Sequence, residues 1–383
     1  MTVKTLAGVL CLLSSLTACN LVSGLPQPAA DTSDVSTKKA SPTPVRTPKL
    51  PERRDAALEA EIAGIAGSIQ GKVGVGAVLL ETGDAAWLNR NEHFASQSVY
   101  KLPIAMAVMK MIDDGRVRID QDVTITPDDF VRRGFHSPIR NVNPSGTVMP
   151  LGEIVRYSIS ESDGTASDVL LDLAGGPTAV QAYMATFGVT DFIVADSEKA
   201  ISKDWETQYR NWATPEASVE LLRALHDRSS GLSEWTTSFL ISTMTFSETG
   251  GRRLKRGLPP GATLAHKTGT GGRRTEVPGF RRDANSNTTP SPTATPVRTK
   301  KAASANANAA NSNVRDPNAP VDPDKVTSAT NDIGIITLPD GRHILIAVYI
   351  MDSAEDGWTR ERTIADIAKA VCDRWYGGGD GEK

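Results

Sequence analysis

F-A-S-Q-S-V-Y-K-L-P-I-A-M-A-V-M-K-M-I, residues 94 to 112, is the stretch on which the reading of this chain turns. Ser98 and Lys101 stand one helical turn apart at the head of an apolar run. Side chains at i and i+3 share a face, which brings the Ser98 hydroxyl and the Lys101 amine within reach of each other. A serine hydroxyl is a weak nucleophile at neutral pH without a base beside it. A lysine drawn partly out of water loses its proton more readily and can be that base. Unpaired N–H groups at the helix start favour developing negative charge. Alone, the pattern decides nothing, because a second S-x-x-K runs from Ser36 to Lys39 and about one chance match is expected in a chain this long. It needs independent partners.

The 383 residues are 39% apolar with a formal net charge of −3, enough for one large domain or two small ones and without a charge footprint for nucleic acid. Lys4, the apolar run Leu6 to Leu16 and L-T-A-C read as a secretory signal over residues 1–18, since the run is too short to span a bilayer. L-T-A-C looks like a bacterial lipobox, which implies cleavage before Cys19 and lipid on that residue; an ordinary signal with an incidental cysteine is the alternative. Cys11 leaves with the signal and Cys19 carries lipid, so Cys372 remains alone and no intramolecular disulfide is expected. Residues 19–52, with six prolines and no aromatic side chain, cannot bury enough apolar surface to offset ordering and read as a disordered tether.

Beyond the tether, Leu58, Ile62 and Ile65 recur at helical spacing. Two strands, Val73 to Leu80 and Ala85 to Asn89, flank the turn E-T-G-D. From Leu151 the pattern predicts a helix, a break at Glu161 to Gly164 that can aim side chains into a cleft, and a second helix ended by Gly175 and Gly176. Further helices start at Thr214-Pro215 and at Trp235, so a helical region spans about residues 97–246. T-L-A-H-K-T-G-T (263–270) precedes two strands around Pro339-Asp340-Gly341, and a helix from Trp358 to Trp375 ends the pattern. Residues 281–326, whose only large apolar side chains are four valines, read as a disordered insertion hanging from a hairpin.

With Ser98-Val99-Tyr100-Lys101, Ser162-Asp163-Gly164 and Lys267-Thr268-Gly269 in that order, the sequence resembles the penicillin-interacting serine enzymes, and within them class A β-lactamases of the divergent branch with a rearranged omega loop. S-P-I-R (137–140), L-G-E-I-V-R-Y-S-I-S-E-S-D, Q-Y-R-N-W (208–212) and T-N-D-I-G-I-I-T-L-P-D-G support the likeness. The resemblance implies an α/β (α+β) fold over residues 53–383: an antiparallel five-stranded sheet flanked by helices, plus an all-helical subdomain. It implies hydrolysis of the β-lactam amide bond, with resistance as its consequence. Two alternatives stay open, a D,D-peptidase acting on cell-wall peptides and a penicillin-binding sensor that acylates without turnover.

On the same resemblance Ser98 is the nucleophile, Lys101 a base or proton relay, and Ser162 the donor to the leaving nitrogen. Asp163, Lys267, Thr268, Gly269 and Thr270 form the substrate-binding set, with Asp163 holding its loop. The N–H groups of Ser98 and Thr270 make the oxyanion hole. Glu198 is the base that activates water, with Ile201 the apolar residue three positions later and Glu206 the runner-up. Singly, each has a plainer reading: Ser162 as a cap, Asp163 as a loop acceptor, K-T-G as a strand end, the glutamates as solvated loop charges. Three departures stand out. Gly164 replaces the usual Asn, Ser202 stands where an Asn often holds water, and Arg273 or Arg274 has to supply the usual carboxylate-binding arginine. Neither a cofactor nor a metal is implied, and the five histidines show no ligand spacing. The implied partners are a small-molecule β-lactam and, through lipid on Cys19, a bacterial membrane, with a monomeric domain facing the periplasm or cell exterior.

Overall fold

The computed structural model describes residues 49–273 and 326–377. The expected signal, Cys19, the tether as far as residue 48 and the expected insertion apart from Val326 lie outside the described residues.

In chain order, β1 (Arg53–Arg54), α1 (Ala56–Ala66), β2 (Lys72–Leu79), β3 (Asp84–Leu88) and β4 (Phe94–Ala95) lead through a 3₁₀ turn, Gln97–Tyr100, into α2 (Lys101–Asp113). There follow β5 (Asp122–Ile125), α3 (Pro138–Val142), β6 (Thr147–Pro150), α4 (Leu151–Ile159), α5 (Gly164–Leu173) and α6 (Gly176–Ala185). Next come β7 (Phe192–Ile193), α7 (Glu198–Ile201), β8 (Trp212–Ala213), α8 (Pro215–His226) and α9 (Glu234–Thr245). Then β9 (Thr263–Thr270), β10 (Thr327–Thr337), β11 (His343–Ser353) and α10 (Gly357–Trp375) complete the fold. Short polar residues set the helix starts: Asp55, Asp163, Ser197, Thr214, Ser233 and Asp356 each accept the N–H three positions on.

The main sheet runs β1-β3-β2-β11-β10-β9. Five of its strands are antiparallel, as expected; the sixth, β1, is an addition that pairs parallel to β3 with Arg53 beside Asp84. Two arginines carry no alternating pattern, so β1 left no trace in the sequence. The same stretch moves the tether boundary, because Glu52 accepts from Trp87 Nε1 at 2.9 Å and from Arg90 at 2.8 Å, tying residues expected to be free to the domain.

Both faces of the sheet are covered, which is why the central strand β11 reads as a nearly unbroken apolar run. Along β11, Leu345, Ala347, Tyr349 and Met351 face the helical region. Ile344, Ile346, Val348 and Ile350 face the core shared with α1 and α10. Within the helical region α2 is buried on nearly every side, its residues 101–109 all buried. That region is not all-helical, a correction to the expectation. It also carries the two-stranded β5-β6 ladder and a small β4-β8-β7 sheet, whose strands of two to four residues are too short to register as periodicity.

The turn before α2 docks against β9. A Cβ on Gly269 would sit 2.5 Å from Ser96 O and 3.1 Å from Gln97 Cβ, so only glycine lets the strand come this close. From the other side Asn331 of β10 donates to Ala95 O at 2.8 Å and Ser96 O at 3.1 Å, fixing the approach to Ser98.

Candidate active site

Ser98 lies inside the 3₁₀ turn, and Lys101 is the first residue of α2. Residues i and i+3 eclipse in a 3₁₀ turn, and both side chains open on one cleft of about 390 Å³. Two non-glycine residues at this cleft have left-handed backbones, Gln97 (φ 47°) and Ser162 (φ 60°). Such conformations cost about 1–3 kcal/mol and persist where surrounding contacts impose them.

Lys101 is 1% exposed. Its ammonium donates to Ser162 O at 2.8 Å and meets Glu198 Oε1 at 2.9 Å. Burial by itself would raise the Glu198 carboxyl, but the charge and hydrogen bond of Lys101 outweigh it and hold the group below its ordinary value. Glu198 therefore stays ionised at neutral pH. Its position is set by Asp168 of α5, whose two oxygens accept from Glu198 N at 2.7 Å and Lys199 N at 2.9 Å. Burial, then the charge of Glu198, pushes Asp168 up to about 7.

The turn between α4 and α5 delivers Ser162 to the opposite wall, where Lys267 Nζ donates to Ser162 Oγ at 2.9 Å. Burial and the nearby Lys101 charge drive Lys267 well below the ordinary lysine value, against the pull of Asp332. Asp332 itself pairs with His266 Nδ1 at 2.8 Å, one strand over. Thr268 and Thr270 line the cleft, and Thr249 Oγ1 lies 2.6 Å from Thr268 Oγ1.

The cleft thus gathers Ser98, Lys101, Ser162, Glu198, Thr268 and Thr270, with Ile201 beside them. Asp163, expected in the substrate-binding set, does not reach it. That residue is fully buried and accepts from Ile139 N at 2.8 Å, Ala166 N at 2.9 Å and Ser137 Oγ at 3.1 Å, holding the turn from behind. Gly269 contributes only backbone and close packing. Glu206 is exposed and outside the lining. Ser202 donates to Lys199 O at 2.7 Å, turning back on its own helix.

Arg273, one of two arginines expected at the substrate carboxylate, pairs through its backbone with Thr327 and is not part of the lining; Arg274 lies outside the described residues. A residue the sequence did not single out stands closer. Arg253 donates to Thr270 Oγ1 at 2.7 Å, to Gly269 O at 3.1 Å and to Asn331 O at 2.8 Å, placing a buried guanidinium directly behind the end of β9. It opens the run R-L-K-R-G-L (253–258), but the reach of its side chain depends on tertiary packing. Gly164 is tight too: a Cβ there would lie 3.2 Å from Glu198 Cγ and 3.2 Å from His136 O.

The arrangement offers a hydroxyl next to a buried ammonium and carboxylate, a second hydroxyl held by another lysine, and cationic groups behind a strand edge. That set suits acyl transfer to serine followed by attack of water. The family model described as the β-lactamase enzyme family matches residues 57–314. β-Lactamase VEB-1 of Pseudomonas aeruginosa is 33% identical over 313 residues, covering 82% of this chain and 88% of that protein. Extended-spectrum β-lactamase PER-1 of Pseudomonas aeruginosa is 30% identical over 284 residues, covering 74% and 76%. Among solved structures, a β-lactamase from Chitinophaga pinensis DSM 2588 superposes with a TM-score of 0.68 at 32% identity, covering 83% of this chain and 99% of that one.

Proposed function

The chain belongs to the β-lactamase enzyme family as a class A serine β-lactamase, and on that premise we propose a division of labour among its residues. The enzyme hydrolyses the β-lactam amide bond, the reaction that gives resistance to β-lactam antibiotics. Ser98 Oγ attacks the lactam carbonyl while the Lys101–Glu198 pair receives its proton. Ser162, hydrogen-bonded to Lys267, passes a proton to the departing nitrogen. The N–H groups of Ser98 and Thr270 hold the oxyanion, and Lys267, Thr268 and Thr270, with Arg253 behind them, attract the substrate carboxylate. Glu198 then takes a proton from water, which attacks the ester carbonyl and frees Ser98.

The observation that carries this reading is the 2.9 Å contact between Lys101 and an ionised Glu198 inside the nucleophile's cleft. A sensor that only traps penicillin needs no such base. Glu198→Gln keeps size and hydrogen bonding but cannot accept the proton. With general-base catalysis worth about a hundred- to ten-thousand-fold, turnover should fall by that order while the acyl-enzyme on Ser98 accumulates as a stable mass increase. Unchanged turnover would place the base elsewhere.

We further infer that Cys19 is the lipidated N-terminus and that a monomeric domain faces the periplasm or cell exterior. The support is the basic start, the short apolar run and L-T-A-C, followed by a proline-rich spacer. Cys19→Ala should shift the protein from the membrane fraction to the soluble one. Retention in membranes after that change would refute the lipid anchor.

A further inference from the structure

A second cleft, of about 730 Å³, lies between α4 and α9, outside the catalytic lining described above. Its floor is aromatic. Trp235 and Phe239 stack with ring centroids 5.7 Å apart, and Phe246 joins them from the end of α9. Among the described residues Trp235, 53% exposed, and Phe246, 75% exposed, are two of six exposed large apolar side chains, and both open on this one cleft. Single exposed apolar residues are ordinary; two aromatics converging on a concavity are not. The rim is acidic. Asp120, Glu153 and Glu248 line it with one guanidinium, Arg156, which is already committed to Glu153 at 2.9 Å and Glu161 at 2.6 Å. Asp120 pairs with Arg118, whereas Glu248 has no ion-pair partner among the described residues.

We propose that this cleft is a binding site for a small aromatic ammonium ion, its ring laid on Trp235 and Phe239 and its charge held at Glu248. Aromatic faces attract cations, and an unpartnered carboxylate beside them fixes the sign of the ligand.

Occupancy reaches the reaction through shared walls, a step that rests on the β-lactamase reading. Ser160 borders the second cleft, its hydroxyl donates to Phe246 O at 2.6 Å, and its carbonyl accepts Glu248 N at 3.0 Å. Two residues on from Ser160 is Ser162. The residue after Glu248 is Thr249, which lines the catalytic cleft against Thr268. A ligand that shifts the 246–248 segment therefore moves both the proton donor and the carboxylate-binding edge, and alters kcat without occupying the substrate's place.

The test uses benzyltrimethylammonium, with benzyl alcohol and benzenesulfonate as neutral and anionic controls, on the intact protein. Binding is read by calorimetry and saturation-transfer NMR, independently of activity. A ligand this small should bind at roughly millimolar concentration, about tenfold more weakly to Trp235→Ala. Binding should weaken severalfold to Glu248→Gln, with no measurable uptake of the sulfonate. Hydrolysis of a chromogenic cephalosporin should change in kcat on binding, and the change should vanish in Trp235→Ala. Absence of saturable binding, equal binding of the sulfonate, or competitive inhibition that survives Trp235→Ala would each overturn the site. Binding with turnover unchanged would overturn the coupling. A protein that binds the ammonium but hydrolyses no lactam would instead overturn the catalytic reading and leave the site standing.

Discussion

Glu198 keeps its charge in a place where burial would otherwise take it away, and Asp168 bears the consequence. Burial, then the charge of Glu198, pushes Asp168 from an ordinary 3.8 up to about 7, against the two backbone N–H groups it accepts and the weaker pull of Lys101. The folded state therefore holds a proton on Asp168 that the unfolded chain gives up near pH 4. This contribution to stability is fully present below that pH and is lost as pH rises towards 7. Asp168→Asn removes the titration while keeping the outline of the side chain. Its unfolding free energy, measured by urea titration from pH 4 to 7, should fall less steeply with pH than that of the parent. An identical slope would mean that Asp168 titrates normally. Arg253 teaches the complementary lesson at this scale. Its charge and its neighbours in the sequence were visible, but which carbonyls a guanidinium reaches is decided by strands that lie far away along the chain.

Elements long enough to repeat their pattern were legible. The helices at 215–226 and 234–245 start within one residue of their expected positions, and the helix at 357–375 and the strands at 72–79 and 84–88 fall within one residue of their expected bounds, because caps and periodicity agree there. The nucleophile's turn was legible in content but not in form: Ser98 to Lys101 reads as α-helix, and docking against β9 tightens it into a 3₁₀ turn. Gly269 is where that docking is enforced. Gly269→Ala would set a Cβ against Ser96 O at 2.5 Å, so strand and turn must separate. The expected result is a loss of about 1–3 kcal/mol in stability, typical of an overpacked site, together with slower acylation of Ser98, read by stopped-flow with a chromogenic cephalosporin. Parent-like acylation would show that the turn does not depend on the strand for its shape.

At the scale of the whole molecule, Arg273 and Thr327 face each other in a backbone bridge, so the chain leaves and re-enters the sheet at a closed neck. Composition gives the segment between them little to bury, and loop closure costs only slowly more with length. Deleting residues 283–324 and joining the ends through a short Gly-rich turn should leave the melting temperature within a few degrees of the parent. A large drop would make the segment part of the fold. The pairing of β2 with β11, Val75 beside Val348, bears on how the protein is made. The first long strand of the domain waits for nearly the last, and the buried sheet cannot close while the intervening chain is still on the ribosome. The apolar side chains of β2 therefore stay uncovered by their partner strand for as long as residues 80–342 are being made.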